Sequence, residues 1–295
     1  MPLSALALVI AAAIIHATWN FYAKRVGGDA RFGLLSCIFL MLFWAPLGLY
    51  LGWDVVPTWG QREWWFMFWS AVTHVGYYVF LLKGYRVADL TVVYPVARGS
   101  GPVLSATAAV LWMGESLTLL GLTGLLGVVC GVFLIAGGAK IWQRATHAHN
   151  PAESQKLKAG LIYGLITGLW IASYTAIDGY AVKFLLISPI LLDYMSNFIR
   201  IPLYLPLVWK DRHTLLPVWK TYWKPCLFVA VAGSIGYTLV LYAVQIAPLS
   251  HVAPAREVSM LFAALIGGHL LGEGDRKARI IGACLIGLGV AALAL

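Results

Sequence analysis

Arginines inside long apolar stretches are the residues of this sequence best suited to bind a charged group. Arg98, Arg200 and Arg256 each lie well inside an apolar run. A charge near the middle of a bilayer costs at least about 2.5–3.5 kcal/mol, so each arginine demands a compensating role. Because a guanidinium stays charged and offers a planar fork, Arg98 and Arg256 are candidates for capturing a carboxylate of a ligand.

These charged residues also have structural interpretations, and the sequence leaves both kinds open. Arg98 and Arg256 could bind backbone carbonyls freed by the prolines of the same runs, or pair with a carboxylate such as Glu257. Arg200 could pair with Asp193, which lies seven residues earlier. Glu257 in turn could neutralise Arg256, bind an ammonium group or carry a proton.

A second set of candidates is uncharged and mostly aromatic. Trp and Tyr rings give flat apolar walls with a hydrogen-bonding edge, which suits the side chains of small zwitterions. For each residue alone, packing or anchoring at the membrane interface is the alternative. The set comprises Trp19, Asn20, His74, Tyr78, Tyr94, Trp170, Tyr174, Tyr237 and His251, with His16 and Ser234 beside them.

The sequence predicts no metal and no other cofactor. No H-E-x-x-H motif occurs, and His147 and His149 stand together in a polar loop where a solvated role is expected. The cysteines contain no C-x-x-C pair, so neither a disulfide framework nor a zinc site is indicated. They are Cys37, Cys130, Cys226 and Cys284.

The composition places these residues in a membrane. Of 295 residues, 61% are apolar and 11% are charged, against roughly 45–50% and about 25% in soluble domains. This excludes a soluble enzyme, and the apolar content excludes a disordered chain. The net charge of +9 comes from basic residues in short loops, which favours contact with anionic lipid headgroups over nucleic acid.

Ten segments approach the roughly 20 apolar residues that a helix needs to cross a bilayer. The predicted fold is therefore an all-α polytopic membrane protein. The first span is predicted to be a retained helix rather than a signal peptide, because Lys24 and Arg25 follow its apolar run. The predicted spans are 3–23, 32–52, 64–82, 90–112, 117–138, 158–177, 188–208, 226–246, 249–271 and 277–295.

These spans form two copies of one unit, residues 1–140 and 158–295, joined by a linker at 141–157. An offset of 159 residues, reduced to 158 after a gap, superposes distinctive residues at equal depths in the two copies. The pairs include Tyr78 with Tyr237, Pro95 with Pro254, Arg98 with Arg256, Gly114 with Gly272 and Glu115 with Glu273.

Five spans in each copy, an odd number, make the second copy enter the membrane from the opposite side. Counting Lys158, Lys277 and Arg279 at the span ends, the loops after spans 1, 3, 5, 7 and 9 hold sixteen basic residues and the other loops two. The former are therefore predicted to be cytoplasmic and both termini extracytoplasmic. Two inverted halves can exchange conformations around a site at their interface. This symmetry favours a transporter over an enzyme or an assembly protein.

The chain resembles the drug/metabolite transporter superfamily, in its EamA-type branch of ten-helix permeases, over essentially its whole length. The resemblance rests on the 5+5 repeat, "HATWNFYAK" at residues 16–24, Pro-x-x-Arg at residues 95–98 and the two Gly-Glu pairs. It implies a central cavity formed by helices 1, 3, 4, 6, 8 and 9, with helices 5 and 10 peripheral. Within the branch the chain is most similar to YddG-type exporters of aromatic and other neutral amino acids.

The resemblance implies an inner-membrane exporter of a small polar metabolite, with amino acids as the expected substrates. The chain is expected to be a monomer or a weak homodimer. An exporter of lipophilic cationic drugs would need an unpaired membrane carboxylate and an aromatic box instead, and a sugar-phosphate exchanger would need more basic residues. A lipid-acting intramembrane enzyme would need an acid/base or metal cluster. These remain the alternatives.

Two further motifs are interpreted as structural. Gly127/Gly131 and Gly164/Gly168 have the G-x-x-x-G spacing that lets backbones approach closely, and packing within the bundle is preferred to a dimer contact. Glu115 and Glu273 are expected to act at helix termini rather than in catalysis.

Overall fold

The computed structural model describes residues 1–26, 29–137, 151–262 and 276–295, with the side chains of residues 20–26, 90, 91 and 276 outside the description. The described chain is helical and contains no strand. Short 3-10 turns occupy Val56–Thr58 and Trp209–Thr214. The helices are α1 Leu3–Val26, α2 Ala30–Gly52, α3 Gln61–Val87, α4 Leu90–Met113, α5 Leu119–Ile135, α6 Pro151–Phe184, α7 Pro189–Val208, α8 Leu215–Ile246, α9 Leu249–Ala255 and α10 Arg276–Ala294.

These helices fall on the ten predicted spans, and together they confirm an all-α polytopic membrane protein. Five helical stretches of the described chain qualify as membrane spans by length and hydropathy alone, and one of them, Pro189–Ile246, contains both α7 and α8. Shorter apolar helices, Leu3–Trp19 and Leu119–Ile135, belong to α1 and α5.

α6 is longer than predicted at both ends. The prediction ended the sixth span at residue 177, where the first acidic residue interrupts the apolar run, but the helix continues to Phe184. Its end is marked by Leu186, whose φ of 55° is left-handed. The helix therefore carries Asp178 and Lys183, which the prediction had placed in a loop.

α9 is shorter than the predicted span 249–271. Proline lacks an N–H and its ring clashes with the preceding turn, so Pro254 disfavours a continuous helix. The chain tightens into a turn at residues 256 and 257, where the Glu257 N–H donates to the Pro254 carbonyl at 3.0 Å. Helical structure resumes at 258–262. This turn places Arg256 and Glu257 side by side.

The helix contacts follow a twofold exchange of the repeats, in which helix n of the first repeat corresponds to helix n+5 of the second. Because α3 corresponds to α8 and α1 to α6, the packing of α3 on α6 has its counterpart in the packing of α8 on α1. The contact of α2 with α8 likewise has its counterpart in the contact of α7 with α3. The contacts of α2 with α7 and of α5 with α10 join corresponding helices, so the exchange maps each of these pairs onto itself. Most of the packing thus joins one repeat to the other, as an inverted repeat requires.

α5 and α10 meet along a glycine seam. A Cβ on Gly131 would lie 2.5 Å from the Gly282 carbonyl oxygen, and one on Gly124 would lie 2.7 Å from that of Gly289. Backbones this close leave no room for side chains. The predicted packing role of the G-x-x-x-G motif at Gly131 is confirmed.

The same interpretation is confirmed on α6, where Gly164 and Gly168 pack against α4. A Cβ on Gly164 would lie 2.7 Å from the Val96 Cβ, and one on Gly168 would overlap the Ser100 side chain.

The two ends of the chain lie side by side. The Met1 amino group donates to the Ala294 carbonyl at 2.6 Å. α1 begins and α10 ends at this point, so both ends occupy one face of the bundle, as an even number of crossings requires.

Candidate functional site

A buried charge cluster joins the two repeats. Arg98 Nη2 on α4 lies 2.8 Å from Glu257 Oε2, in the turn after α9. Arg256 Nε lies 4.0 Å from the other oxygen, Glu257 Oε1. All three side chains are buried, Glu257 being 1% exposed. One carboxylate therefore sits between two guanidinium groups, and the cluster keeps an excess positive charge.

Some N–H groups of the two arginines in this cluster have no hydrogen-bond acceptor. Arg98 Nη2 also donates to Ser259 Oγ at 3.2 Å. The Nε atoms of Arg98 and Arg256 find no acceptor, and Glu257 Oε2 accepts no well-aligned hydrogen bond, in the part of the chain that the structure describes. The pairing with Glu257 foreseen as an alternative is present, and it leaves N–H groups that an additional carboxylate could accept from.

Aromatic residues of the first repeat lie beside this cluster. The Tyr94 hydroxyl donates to Met260 Sδ at 3.2 Å. His16 lies within electrostatic range of both arginines and packs edge-on against Trp19, with ring centroids 4.8 Å apart. The Trp19 Nε1–H is buried and has no hydrogen-bond acceptor within the described ranges. Predicted site residues of α1 and α4 therefore do converge on the arginines.

A second buried cluster centres on Asp178 of α6. The Tyr237 hydroxyl of α8 donates to Asp178 Oδ2, and His74 Nε2 of α3 lies 3.8 Å from the same oxygen. The His74 ring stacks on Tyr174, with centroids 4.2 Å apart. Tyr77 stands edge-on to Tyr174 at 5.8 Å. Three predicted site residues, His74, Tyr174 and Tyr237, thus share one site.

The two clusters are neighbours. Tyr174 and Tyr77 both lie within electrostatic range of Arg98, and Tyr174 stands one helical turn before Asp178 on α6. Together the clusters draw side chains from α1, α3, α4, α6, α8 and the turn that follows α9. These are the helices that the resemblance to EamA-type permeases implies for a central cavity.

A third buried polar network lies on α7. Asp193 Oδ2 accepts from Ser234 Oγ and from Trp44 Nε1, the latter at 3.3 Å. Arg200 donates to Ser196 and Asn197, at 3.0 Å and 3.4 Å. Asn197 Nδ2 in turn donates to Asp193 Oδ1 at 3.0 Å. The pairing considered between Arg200 and Asp193 therefore runs through Asn197 rather than by direct contact.

Three predicted site residues make packing contacts apart from the two clusters. The Tyr78 hydroxyl donates to the Asp29 carbonyl at 3.0 Å. Trp170 covers Gly76 on α3, and His251 Nδ1 lies 2.7 Å from the Leu293 carbonyl of α10. The Asn20 side chain lies outside the described residues.

Asp178 is the main residue that the sequence reasoning missed. It stood at the edge of a hydropathy segment and was assigned to a loop. Asp178 stands four residues after Tyr174, which places the two side chains on the same face of a helix that continues past residue 177. That spacing was the available signal.

An apolar groove of about 670 Å³ between α4 and α5 is separate from these clusters. Its lining includes Pro95, Gly99, Val103 and Phe133. At 100° per residue these α4 positions lie to one side of Arg98, about 60°, 100° and 140° around the helix, and none of the lining residues is charged. The groove therefore presents no charge to a polar solute.

Glu115 joins the two repeats at another point. It follows Gly114, whose φ of 69° ends α4. Its carboxylate accepts the backbone N–H groups of Leu249 and Ser250, both at 2.8 Å, at the start of α9. Lys183 Nζ at the end of α6 donates to it at 2.8 Å. The expected role at a helix terminus is confirmed for Glu115, while the Gly272-Glu273 pair lies outside the described residues.

Comparison with known proteins agrees with this architecture. A solved crystal structure, identified only as that of a protein, is similar with a TM-score of 0.68, covering 99% of this chain and 96% of that one at 16% identity. The sequence model of the EamA-like transporter family matches residues 3–137 and again residues 158–295. The chain therefore belongs to the EamA-like transporter family and is a multi-pass membrane transporter built from two repeats.

Proposed function

We propose that this transporter exports small zwitterionic metabolites, namely amino acids including aromatic ones, across the inner membrane by alternating access. The observation that carries the proposal is the Arg98–Glu257–Arg256 cluster. It is buried, has excess positive charge, and is assembled from both repeats. A site of this kind changes its exposure when the repeats move relative to one another.

The substrate carboxylate is assigned to the two guanidinium groups. Their Nε–H groups have no acceptors among the described residues, and a carboxylate is a planar acceptor that suits a guanidinium fork. The rings of Trp19, Tyr94 and Tyr174 offer the apolar walls that an aromatic or aliphatic side chain needs. The carboxylate of a zwitterion would offset the excess charge of the cluster locally, and the solute as a whole adds no net charge to the membrane.

Proteoliposomes loaded with a panel of radiolabelled amino acids test this proposal. We expect efflux of aromatic and neutral amino acids from vesicles that contain the wild-type protein. Arg98→Lys, which keeps the charge but loses the fork, is expected to raise the KM at least about tenfold. Empty vesicles are the control, and failure of the whole panel would contradict the proposal.

Efflux of lipophilic organic cations is a second candidate function, favoured by one observation. Asp178 supplies a buried carboxylate beside the rings of His74, Tyr174 and Tyr237, which is the combination that cation recognition requires. A fluorescent organic cation in the same vesicles tests it. Cation efflux without amino-acid efflux would favour this second function.

A further inference from the structure

The Asp178 carboxylate is incompletely satisfied. Its side chain is 0% exposed. Oδ2 accepts from the Tyr237 hydroxyl, and the Ser70 hydroxyl, which shares a hydrogen bond with Ser196, also stands beside the carboxylate. Oδ1 accepts no well-aligned hydrogen bond among the residues that the structure describes. A buried carboxylate with an open acceptor position is costly unless something else supplies the donor.

His74 adds a second acceptor that faces this carboxylate. Its Nδ1 lies 2.9 Å from the Ser70 carbonyl oxygen. A carbonyl can only accept, so Nδ1 carries the hydrogen, and in the neutral ring Nε2 is then an acceptor. Nε2 points at Asp178 Oδ2 across 3.8 Å. Two acceptors facing each other at this distance call for a donor between or beside them.

The walls of the site are aromatic. Tyr174 and Tyr237 stand with ring centroids 6.1 Å apart, and Tyr77 and His74 contact Tyr174 from other sides. Ring faces attract cations, and the attraction strengthens where water is excluded. The open acceptors and the rings together match a primary ammonium group, which offers three donors and a compact positive charge.

We infer that Asp178, His74 and Tyr237 form a binding site for the primary ammonium group of the transported solute. This inference rests on the proposed function and specifies its substrate class. The ammonium group donates to Asp178 Oδ1 and to His74 Nε2, while the Tyr237 hydroxyl holds Asp178 Oδ2 and orients the carboxylate.

Other charged groups near the site do not satisfy this role. On α7, Arg200 and Asp193 lie within electrostatic range of Asp178, but they are engaged with Ser196, Asn197 and Ser234. Arg256 lies within range of His74 and belongs to the first cluster. Tyr174 lies between the two clusters, one turn or about 5.4 Å before Asp178 on α6. A zwitterion that spans this ring therefore meets the arginines of the first cluster on one side and Asp178 on the other.

Three probes of equal ring size separate the two ends of the substrate. Phenylalanine carries both charges, phenethylamine lacks the carboxylate, and 3-phenylpropionate lacks the ammonium group. Binding to the purified full-length protein is measured by ligand-induced shifts in melting temperature and by inhibition of radiolabelled phenylalanine exchange in proteoliposomes. With the wild-type protein, we expect 3-phenylpropionate to bind at least tenfold more weakly than phenylalanine.

The variant Asp178→Asn keeps the shape of the side chain and removes its charge. We expect it to weaken binding of phenylalanine and phenethylamine by about ten- to a hundredfold, the range of a charge-assisted hydrogen bond, and to leave 3-phenylpropionate unchanged. Tyr174→Leu, which removes a ring and retains the carboxylate, is expected to weaken the two amines several-fold. Asp193→Asn is the matched control, because that carboxylate already has its donors.

The outcomes distinguish this inference from the proposed function. If phenethylamine binds in a way that depends on Asp178 but no amino acid is transported, the ammonium site is supported and the proposal of amino-acid export is overturned. Equal binding of all probes by the wild-type protein and Asp178→Asn would overturn the ammonium site, as would binding of none of them. Unchanged probe selectivity combined with loss of pH-driven flux in Asp178→Asn would assign the carboxylate to a proton instead, and would also overturn it.

Discussion

At the scale of single residues, the Arg98–Glu257 ion pair has two separable roles. Removing one partner of a buried pair leaves an uncompensated charge and costs about 3–5 kcal/mol. We therefore expect Glu257→Gln, which leaves two buried guanidinium groups without their carboxylate, to lower the melting temperature of the detergent-solubilised protein strongly. Arg98→Gln is expected to lower it less, because Glu257 keeps Arg256 as a neighbour. The double variant Arg98→Gln/Glu257→Gln restores the net charge of the wild-type cluster and is expected to recover much of the loss caused by Glu257→Gln.

Transport separates the binding role from the structural role in these variants. If Arg98 binds the substrate carboxylate, the double variant is folded but inactive in proteoliposomes. Arg98→Lys is the matched control, because it keeps the positive charge at this position and removes only the guanidinium fork. A double variant that regains wild-type transport together with its stability would remove Arg98 from the binding site.

The charged members of the site were predictable because a charge inside an apolar run stands out in the sequence. Arg98, Arg256 and Glu257 were found in this way. Asp178 escaped because it stood where the hydropathy signal faded. Tyr78 and His251 have suitable chemistry, but their hydrogen bonds go to backbone carbonyls. Which way a side chain points depends on tertiary packing, and a single sequence does not record it.

At the scale of helices, the glycine seam between α5 and α10 supplies a stability prediction. The Cβ of Gly131→Ala would lie 2.5 Å from the Gly282 carbonyl oxygen and 2.7 Å from Ile286 Cγ1. Backbone cannot move aside cheaply, so we expect a loss of about 1–3 kcal/mol. Thermal unfolding of the detergent-solubilised protein measures it.

Gly287 of α10 provides the matched control for this seam. A Cβ there meets nothing within 4 Å. Gly287→Ala is therefore expected to leave the melting temperature unchanged or to raise it, because alanine favours the helix by up to about 1 kcal/mol. Equal destabilisation by Gly131→Ala and Gly287→Ala would contradict close packing at the seam.

Glu115 makes helix α9 sensitive to pH. Burial alone would raise the pKa of this carboxyl, but the Lys183 ammonium and the N–H groups of Ser250 and Leu249 outweigh it and lower the pKa below its ordinary value. A depressed pKa contributes stability above the ordinary range near pH 4.3, and this is lost as the pH falls through the folded-state pKa.

We expect Glu115→Gln to be about 1–3 kcal/mol less stable than the wild-type protein at neutral pH. The difference should shrink as both proteins are acidified below about pH 4, because the wild-type carboxyl then loses its charge. Melting temperatures recorded across this pH range test it. A difference that stays constant with pH would show that Glu115 acts by its shape alone.

The existence of the helices followed from the length of the apolar runs, but their ends did not. α6 and α8 extend through polar residues into regions where hydropathy is low. Helical structure continues there, and α8 even runs through Pro225. In contrast, Pro254 ended α9 inside an apolar run. Its position beside Arg256 and Glu257 makes the local interruption part of the candidate site.

At the scale of the whole molecule, the adjacent chain ends lead to a topology prediction. The contact between Met1 and Ala294 places both ends on one face. The distribution of basic residues predicts that this face is extracytoplasmic. Alkaline phosphatase fused to either end should be active, and a cytoplasmic reporter fused there should be silent. Opposite signals from the two ends would contradict the inverted arrangement.

The two halves are alike in fold but not in charge. The offset that pairs Arg98 with Arg256 pairs Glu257 with Gly99, so only the second half brings an acid to the shared cluster. Exchanging the roles of the halves therefore does not regenerate the same molecule. In the proposed alternating-access cycle, we therefore expect the outward-open and inward-open forms to differ in free energy and the empty carrier to rest in one of them. This inequality is expected to give the solute different apparent affinities on the two sides of the membrane.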